Sequence, residues 1–489
     1  MLKKTITPSF VLFTATAIAT LVCVPVVFAQ EYTGQPISGF WRGVQADGEW
    51  AYVFEFVQEA PGCYSGVIHV YQKDRKVQEV PIDEIDCKDG KISLHVKMND
   101  VGYQGSVDSD SNTISGEFHY SDGSTLAMNL MRVDPTTLPG LSAREGVDGK
   151  PYTYAYHVPD KLKDGWETSS LADQGFDPAP IDRLVTAIVD GDFGFIHSLL
   201  IVRNGHLALE EYFYNHDRDE PHRLASATKS IASLLVGIAI DQGLIEGPDQ
   251  TILSFFPTYA AKAAPGWEKV TLKHILTMSA GAEWAKADLG GFYSSDDHFG
   301  AVFKQPITSV PGGKFGYVSP NVDLLAGVIK QASGMHADKF AEKYLFGPIG
   351  ITTYRWDYGR WEGYPLMDGS LALRPRDMAK IGQLVLDRGK WQGKQIVSSR
   401  WVDESTALHM DVEGPEDYGY LWWRASAPFE GRMVDGVFAS GMGSQFIFIL
   451  PEYNLVVVTT GGNDDNSMHL APLKMFPAYI LPAMKESGN

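Results

Sequence analysis

The 489-residue chain consists of two main regions with different residue patterns, and each pattern favours a different class of fold. Residues 37–133 contain short segments rich in β-branched and aromatic residues, separated by turn sequences such as Asp89-Gly90 and Ser121-Asp122-Gly123. Short strands at steady spacing are typical of a small barrel or sandwich. We therefore expect an all-β, barrel-like domain at 37–133. It contains no recognisable catalytic combination of residues, so an accessory role is favoured over a ligand-binding barrel.

The second region mixes helical and strand patterns. It begins at about residue 170, after a linker at 134–169 in which proline and glycine recur. The spacing of apolar residues predicts helices at 178–189 and 226–242, and Asn204-Gly205 is a strong signal for a hairpin turn. We therefore predict a second domain of mixed helices and strands over 170–489.

The first 29 residues are expected to be a signal peptide. Lys3 and Lys4 give a basic start, and a largely apolar stretch follows and ends in Val27-Phe28-Ala29. This pattern is typical of a segment that signal peptidase removes, which predicts an exported protein, periplasmic or secreted. An uncleaved membrane anchor is the alternative, because the apolar stretch is of borderline length for a membrane span. No later segment is apolar enough to cross a bilayer.

The chain is acidic, with a formal net charge of −19. Phosphate binding requires a basic face, so this charge argues against a nucleic-acid partner. It argues equally against binding to an anionic lipid surface. The expected partner is therefore a small-molecule substrate.

Two cysteines, Cys63 and Cys87, follow the predicted signal peptide. In a chain sent to an oxidising compartment, this pair is compatible with a disulfide and equally with two buried thiols. No group of cysteines and histidines has the spacing of a zinc site. The sequence therefore predicts neither a metal nor a cofactor.

The segment Ser226-Ala227-Thr228-Lys229 places a hydroxyl and an amine three residues apart. Side chains with that spacing lie on one face of a helix. An amine that takes the hydroxyl proton makes serine a nucleophile, and the N-terminus of the helix favours developing negative charge. Ser226 and Lys229 are therefore the candidate nucleophile and its partner.

Two later segments supply further candidates. Tyr317 follows a glycine-rich loop at 311–316, and a tyrosine acts as a general base where a neighbouring cation lowers its pKa. Ser440, Gly441 and Met442 precede a predicted strand, where small residues admit a substrate and backbone N–H groups face an oxyanion. Taken alone, the tyrosine is more typical of a packed aromatic side chain, and the segment 440–443 is more typical of a glycine-rich turn.

In this order, the three segments resemble those of the serine β-lactamase and penicillin-binding-protein superfamily. The resemblance is to its class C-like branch, which includes carboxylesterases and 6-aminohexanoate-dimer hydrolases, and it covers about residues 170–485. It implies an α/β (α+β) fold with an antiparallel sheet flanked by helices. It also implies that Ser226 is acylated, that Lys229 and Tyr317 move protons, and that the Met442 N–H completes an oxyanion hole.

The chain departs from the superfamily's pattern at two positions. Ser319 stands two residues after Tyr317, where an asparagine is usual, and Ala439 stands where a Lys-Thr-Gly motif has its cation. The missing cation argues against anionic β-lactams as substrates, so we predict a serine hydrolase that cleaves an ester or amide through an acyl-enzyme. A β-lactamase or D-alanyl peptidase is one alternative, and a sensor or binding protein that turns over slowly is another.

Overall fold

The computed structural model describes residues 37–484, except 47, 61, 73–74, 98–99, 109–111, 145–151, 283, 285–291, 293–294, 359–362, 413, 415 and 465–467. The predicted signal peptide at 1–29 and part of the predicted linker therefore lie outside the described residues. In the part of the chain that is described, we find no helix with the length and apolar character that a membrane span requires.

The first sheet is antiparallel and forms a half-barrel. Within the described residues its strands are β1 (Gly39–Val44), β2 (Trp50–Ala60), β3 (Cys63–Gln72), β4 (Arg75–Pro81), β5 (Glu84–Lys88), β6 (Lys91–Val96), β7 (Val101–Asp108), β8 (Thr113–Tyr120), β9 (Thr125–Ala127) and β10 (Leu130–Val133). Their order is β4-β3-β2-β1-β10-β8-β7-β6-β5, and β9 pairs with β8. The predicted all-β fold of this region is confirmed.

Alternation of side chains explains the half-barrel's core. Successive residues of a strand point to opposite faces, so one face of each strand supplies the buried residues. Trp41, Phe54, Tyr103 and Phe118 are among them. The rings of Phe54 and Tyr103 lie 5.5 Å apart, centre to centre. Burial of these aromatic side chains is the main stabilising contribution within this sheet.

Cys63 and Cys87 lie in the first sheet. Cys63 begins β3 and Cys87 lies on β5, and both residues are half-buried.

The second sheet is larger and forms the centre of the remaining chain. Its strands are β11 (Glu167–Thr168), β12 (Ile196–Arg203), β13 (His206–Tyr212), β19 (Met410–Asp411), β20 (Glu416–Tyr418), β21 (Trp423–Phe429), β22 (Arg432–Gly441), β23 (Gln445–Leu450) and β24 (Leu455–Gly461). They follow the order β11-β13-β12-β24-β23-β22-β21-β20-β19, and the pairs are antiparallel except β11 with β13. Smaller sheets contain β14 (His222–Arg223), β15 (Tyr354–Trp356) and β16 (Leu371–Leu373), and β17 (Lys390–Trp391) with β18 (Lys394–Gln395).

Helices cover both faces of the second sheet. The described α-helices are α1 (Pro178–Val189), α2 (Thr228–Asp241), α3 (Leu272–Leu276), α4 (His298–Lys304), α5 (Ser319–Val322), α6 (Leu324–Ser333), α7 (Ala337–Ala341), α8 (Pro375–Leu386), α9 (Ser399–Ser405), α10 (Ala471–Met475) and α11 (Leu481–Ala483). Short 3-10 and π turns lie at Pro135–Thr137, Ala225–Ala227, Ile252–Phe255, Trp267–Lys269, Glu342–Phe346, Gly347–Ile349, Pro451–Tyr453 and Phe476–Ile480.

Strand β12 shows how the two helical layers are separated. Leu200 and Val202 belong to the core that contains α2 and α8. Leu199 and Ile201 belong to the opposite core, which contains α1 and the C-terminal helical segment. A strand that is buried on both faces has apolar residues at consecutive positions, as β12 has at 199–202. The antiparallel sheet flanked by helices that the resemblance implied is therefore confirmed.

The half-barrel contacts the larger body through β4. Arg75 forms ion pairs with Asp217 and Glu220, and its distance to the Asp217 carboxylate is 2.7 Å. The Lys76 Nζ donates a hydrogen bond to the carbonyl of Leu141 at 3.0 Å. These contacts hold the first sheet against Leu141 and against Asp217 and Glu220, which lie between β13 and β14 and shortly before Ser226.

Candidate active site

Ser226 lies in a short 3-10 turn, Ala225–Ala227, that leads directly into α2. The sequence predicted a helix from 226, whereas the α-helix begins at Thr228. The residue before the serine explains the difference, because Ala225 has a φ of 44°, in the left-handed region that a non-glycine residue rarely adopts. Such conformations cluster at active sites, since the surrounding structure must hold them. The turn leaves Ser226 half-buried.

Lys229 is the nearest amine to this hydroxyl among the contacts described. Its Nζ donates a hydrogen bond to Ser226 Oγ at 2.9 Å. It also donates to the main-chain carbonyl of Asp368. The side chain is only 2% exposed, so these two acceptors hold the amine in one position. The predicted pair is therefore within the distance needed for proton transfer.

Tyr317 lies on the other side of Lys229. The Lys229 Nζ is 5.3 Å from the centre of the Tyr317 ring. Trp423 stacks on the same tyrosine, with ring centres 5.8 Å apart and planes 22° apart. Tyr317 is nevertheless 40% exposed, so it has one packed face and access to solvent. The structure thus brings the three predicted side chains, Ser226, Lys229 and Tyr317, into one group.

The C-terminal end of β22, at Gly441, lies against the turn that contains Ser226. A Cβ atom on Gly441 would lie 2.1 Å from the carbonyl oxygen of Leu224 and 3.0 Å from the N atom of Ala227. Only glycine permits that approach, because real Cβ contacts are never so short. Ser440 is half-buried, and Met442 is 43% exposed just beyond the strand. The predicted substrate strand and the predicted nucleophile are therefore neighbours.

Ala439 has no exposed surface and pairs with Ile447 on β23. The position where the resemblance expects a cation is thus an apolar residue within the core that contains α2. A substrate carboxylate meets no positive charge from this position.

Two acidic residues near Lys229 were not predicted as part of the site. Asp323 is fully buried, and its Oδ1 accepts hydrogen bonds from the N–H groups of Met367 at 2.7 Å and Asp368 at 3.0 Å. These bonds fix the turn that presents the Asp368 carbonyl to Lys229. The sequence did contain a signal, because Asp323 is a charged residue inside the apolar run Val322–Leu325.

The environment of Asp323 is electrostatically unusual. Burial raises the pKa of Asp323 well above its ordinary value, and the nearby charge of Asp368 raises it further. The ammonium of Lys229 opposes both effects. Groups with strongly shifted pKa values are concentrated at functional sites. The shifted pKa of Asp323 therefore supports a functional role for the region around Lys229.

The comparisons with known proteins agree with this geometry. A family model described as Beta-lactamase matches residues 197–468, which contain Ser226, Lys229, Tyr317 and Met442. The chain is similar to a 6-aminohexanoate-dimer hydrolase of Paenarthrobacter ureafaciens, with 24% identity over 287 residues. That alignment covers 53% of this chain and 71% of the relative.

Solved structures show the same fold at low identity. EstCE1, described as a hydrolase with promiscuous acyltransferase activity, matches with a TM-score of 0.53 and 15% identity, over 63% of this chain and 100% of that one. A family VIII carboxylesterase matches with a TM-score of 0.50 and 16% identity, over 62% of this chain and 96% of that one. At this level of identity the two matches establish the fold alone.

Proposed function

Because the chain belongs to the beta-lactamase family, we propose that it is an exported serine hydrolase that cleaves an ester or amide through an acyl-enzyme on Ser226. The predicted relationship to the β-lactamase and penicillin-binding-protein superfamily is confirmed by the family match and the similar folds. The prediction of a hydrolase is confirmed at the level of the family, to which the similar 6-aminohexanoate-dimer hydrolase adds a named hydrolase.

The observation that carries the proposal is the 2.9 Å hydrogen bond between Lys229 Nζ and Ser226 Oγ. A serine hydroxyl is a weak nucleophile until an adjacent group accepts its proton. Lys229 is fixed beside the hydroxyl, and Tyr317 is in contact with Lys229. This pair supplies both a proton acceptor for Ser226 and a route by which the proton leaves.

Acylation follows from these positions. Ser226 Oγ bonds to the carbonyl carbon of the substrate while its proton passes to the Lys229–Tyr317 pair. The carbonyl oxygen becomes an oxyanion, for which the N–H groups of Ser226 and Met442 are the proposed donors. The C–O or C–N bond to the leaving group then breaks, and the leaving group takes the proton.

Deacylation reverses the roles. A water molecule gives a proton to the Lys229–Tyr317 pair and attacks the acyl carbon. The bond to Ser226 Oγ breaks, the serine regains its proton and the carboxylic acid is released. Exposure of Tyr317 to solvent supports this step, because water reaches the proton acceptor.

The apolar position 439 supports a neutral substrate. Hydrolases that bind a substrate carboxylate need a fixed positive charge, and Ala439 supplies none. We therefore propose neutral esters or amides over anionic β-lactams. The acidic chain, with its net charge of −19, adds a long-range repulsion of anions that salt screens beyond about 8 Å.

One assay separates this proposal from its alternatives. The purified protein is mixed with p-nitrophenyl acetate and, in parallel, with nitrocefin. Continuous turnover of the ester with little hydrolysis of nitrocefin is the expected result. Faster hydrolysis of nitrocefin would identify a β-lactamase or peptidase type, and a stoichiometric burst without turnover would identify a sensor.

Export is a separate part of the proposal and has its own test. It rests on the basic start, the apolar stretch and the Val27-Phe28-Ala29 ending. Expression of the whole chain in a bacterial host, followed by N-terminal sequencing of the periplasmic fraction, should give a mature protein that begins at Gln30. If the chain instead keeps residues 1–29 and is found in the membrane fraction, the segment is a membrane anchor.

A further inference from the structure

Three histidines that play no part in the proposed hydrolysis lie together where the half-barrel meets the larger body. His197 is on β12, His216 is in the segment after β13, and His222 begins β14. One ring nitrogen from each lies within 4.8 Å of the other two. His197 Nδ1 is 2.7 Å from His222 Nε2, and the rings of His197 and His216 stack with centres 3.8 Å apart.

Hydrogen bonds to main-chain carbonyls fix the protons on two of these rings. A carbonyl oxygen only accepts, so the nitrogen beside it must carry hydrogen. His222 Nδ1 donates to the carbonyl of Arg223 at 3.0 Å, and His216 Nε2 donates to the carbonyl of Lys76 at 3.1 Å. A neutral imidazole has one N–H, so His222 Nε2 and His216 Nδ1 carry lone pairs. Metal-binding histidines are held by this same kind of outer hydrogen bond.

His197 adds an independent sign of a ligand. It is 1% exposed, and its Nδ1 donates a hydrogen bond to the lone pair of His222 Nε2, so its other nitrogen, Nε2, carries a lone pair. Among the described residues, its buried Nε2 has no hydrogen-bond partner. Leaving a buried polar group unsatisfied is destabilising, so such groups in folded proteins call for an explanation.

We infer that His197, His216 and His222 form a binding site for one divalent transition-metal ion of the zinc class. Zinc lies about 2.0–2.1 Å from histidine nitrogens, so the nitrogens of a tetrahedral site are about 3.3 Å apart. One ring nitrogen from each histidine lies within 4.8 Å of the other two, which is near that value. Binding of the ion requires the hydrogen bond between His197 Nδ1 and His222 Nε2 to open and the stacked rings of His197 and His216 to turn until a lone pair of each ring points at the ion.

The chemistry of the donors selects the ion. Neutral imidazole suits zinc, cobalt, nickel and copper, whereas magnesium and calcium prefer oxygen.

A cavity gives the ion access from solvent. His216 and His222 line a space of about 320 Å³ between the half-barrel and the larger body. Water or a small ligand in this cavity would take the fourth coordination position. The charged side chains that share the cavity are of both signs: Arg75, Arg223, Arg355, Asp217, Glu220 and Asp464.

Binding at this site would join the two sheets. The outer partner of His216 is the carbonyl of Lys76, which belongs to β4 of the half-barrel. His197 and His222 belong to strands of the larger body. A bound ion therefore holds β4 against the body and should raise the melting temperature of the whole chain.

The first test uses the unmodified mature chain without a histidine tag. After dialysis against EDTA and then metal-free buffer, the protein is titrated with Zn²⁺ by calorimetry and with Co²⁺ by visible absorption. We expect one equivalent of each ion to bind, with Co²⁺ giving the intense absorption of a four-coordinate site and Zn²⁺ raising the melting temperature. Binding of less than one equivalent of either ion, at any tested concentration up to millimolar, would overturn the inference.

A pair of variants locates the ion. His222→Gln removes one donor, and His206→Gln is the matched control, because His206 lies on the neighbouring β13 and bonds only its own turn at Asn204. The first should weaken Zn²⁺ binding by more than about the 10–100-fold that loss of an outer partner costs, and the second should leave it unchanged. Equal binding by both variants would place the ion elsewhere and contradict the assignment. Near-ultraviolet circular dichroism of the metal-free proteins verifies that both are folded.

Discussion

The Oδ1 of Asp323 accepts a hydrogen bond from the main-chain N–H of Asp368 at 3.0 Å, and the carbonyl of Asp368 in turn accepts one from Lys229. A buried carboxyl group thus sets the position of the amine that contacts Ser226, without touching the serine itself. Asp323 is a positioning residue in this account.

Replacement of Asp323 by alanine should lower kcat by at least tenfold and also destabilise the protein. The substitution leaves two N–H groups without their acceptor, which costs about 1–3 kcal/mol for each group that stays buried. Asp323→Asn retains an acceptor oxygen and should recover most of the activity. Kinetics and urea unfolding of both variants provide the measurement.

Asp338→Ala is the matched control for Asp323→Ala. Asp338 is also buried, and its described polar partners are the Tyr358 hydroxyl, which donates to it at 2.7 Å, and Lys339, rather than Lys229. It should lose stability with kcat unchanged. If the two alanine variants lose activity in proportion to their loss of stability, Asp323 has no positioning role.

The stability of the wild type should depend on pH through Asp323. Its pKa is raised by burial, so the folded state binds the proton more tightly than the unfolded state does. The resulting stabilisation is present below the unfolded pKa of about 3.9 and is lost as pH rises towards the folded pKa, by up to roughly 1 kcal/mol per pH unit. Asparagine does not titrate, so the free energy of unfolding of the wild type should fall relative to Asp323→Asn between pH 4 and pH 8. A difference between the two proteins that is constant over this range would show that Asp323 is ionised in the folded state.

Gly441→Ala should abolish most of the activity. The added methyl group would lie 2.1 Å from the Leu224 carbonyl oxygen, so β22 must move away from the turn that contains Ser226. Overpacking of this kind costs about 1–3 kcal/mol, and a displacement of the substrate strand should lower kcat/KM by more than tenfold. Gly436→Ala on the same strand is the control, because its methyl group would have its nearest neighbour at 3.7 Å. Equal activity of the two variants would show that the close approach at Gly441 is not needed for activity.

Tyr317→Phe should lower kcat by about 10²–10⁴-fold, the usual contribution of a positioned proton-transfer group. The melting temperature should hardly change, because the ring still stacks on Trp423 and Tyr317, which is 40% exposed, loses only its hydroxyl. Tyr479→Phe, at a ring packed against Phe193 far along the chain, controls for the loss of a tyrosine hydroxyl. A kcat of Tyr317→Phe within twofold of wild type would exclude the tyrosine from proton transfer.

The local parts of this site were predictable from the sequence, because they depend on residues close together in the chain. The spacing of Ser226 and Lys229, the glycine-rich approach to Tyr317 and the run of small residues at 439–441 are of this kind. The 3-10 turn at Ser226 was not predicted, since the left-handed conformation of Ala225 has no local signal in the sequence.

Sequence patterns do not predict contacts between segments that are far apart in the chain. Asp323 reaches the turn before Asp368, and the histidine group joins β12, β14 and the segment between them. The sequence predicts no metal site here, because positions 197, 216 and 222 do not have the spacing of a known ligand motif. Only the folding of β12 and β13 into one sheet, beside β4 of the half-barrel, brings these rings together.

The central claim, that Ser226 carries the acyl group, is tested most directly by mass spectrometry of the protein after reaction with a fluorophosphonate and with a slowly hydrolysed ester. Both reagents should add one group to the peptide that contains Ser226, and Ser226→Ala should neither be labelled nor turn over substrate. Ser233→Ala, a buried serine on the same helix α2, should be labelled as wild type is. Labelling of a different serine in the wild type, or a burst that persists in Ser226→Ala, would contradict the account.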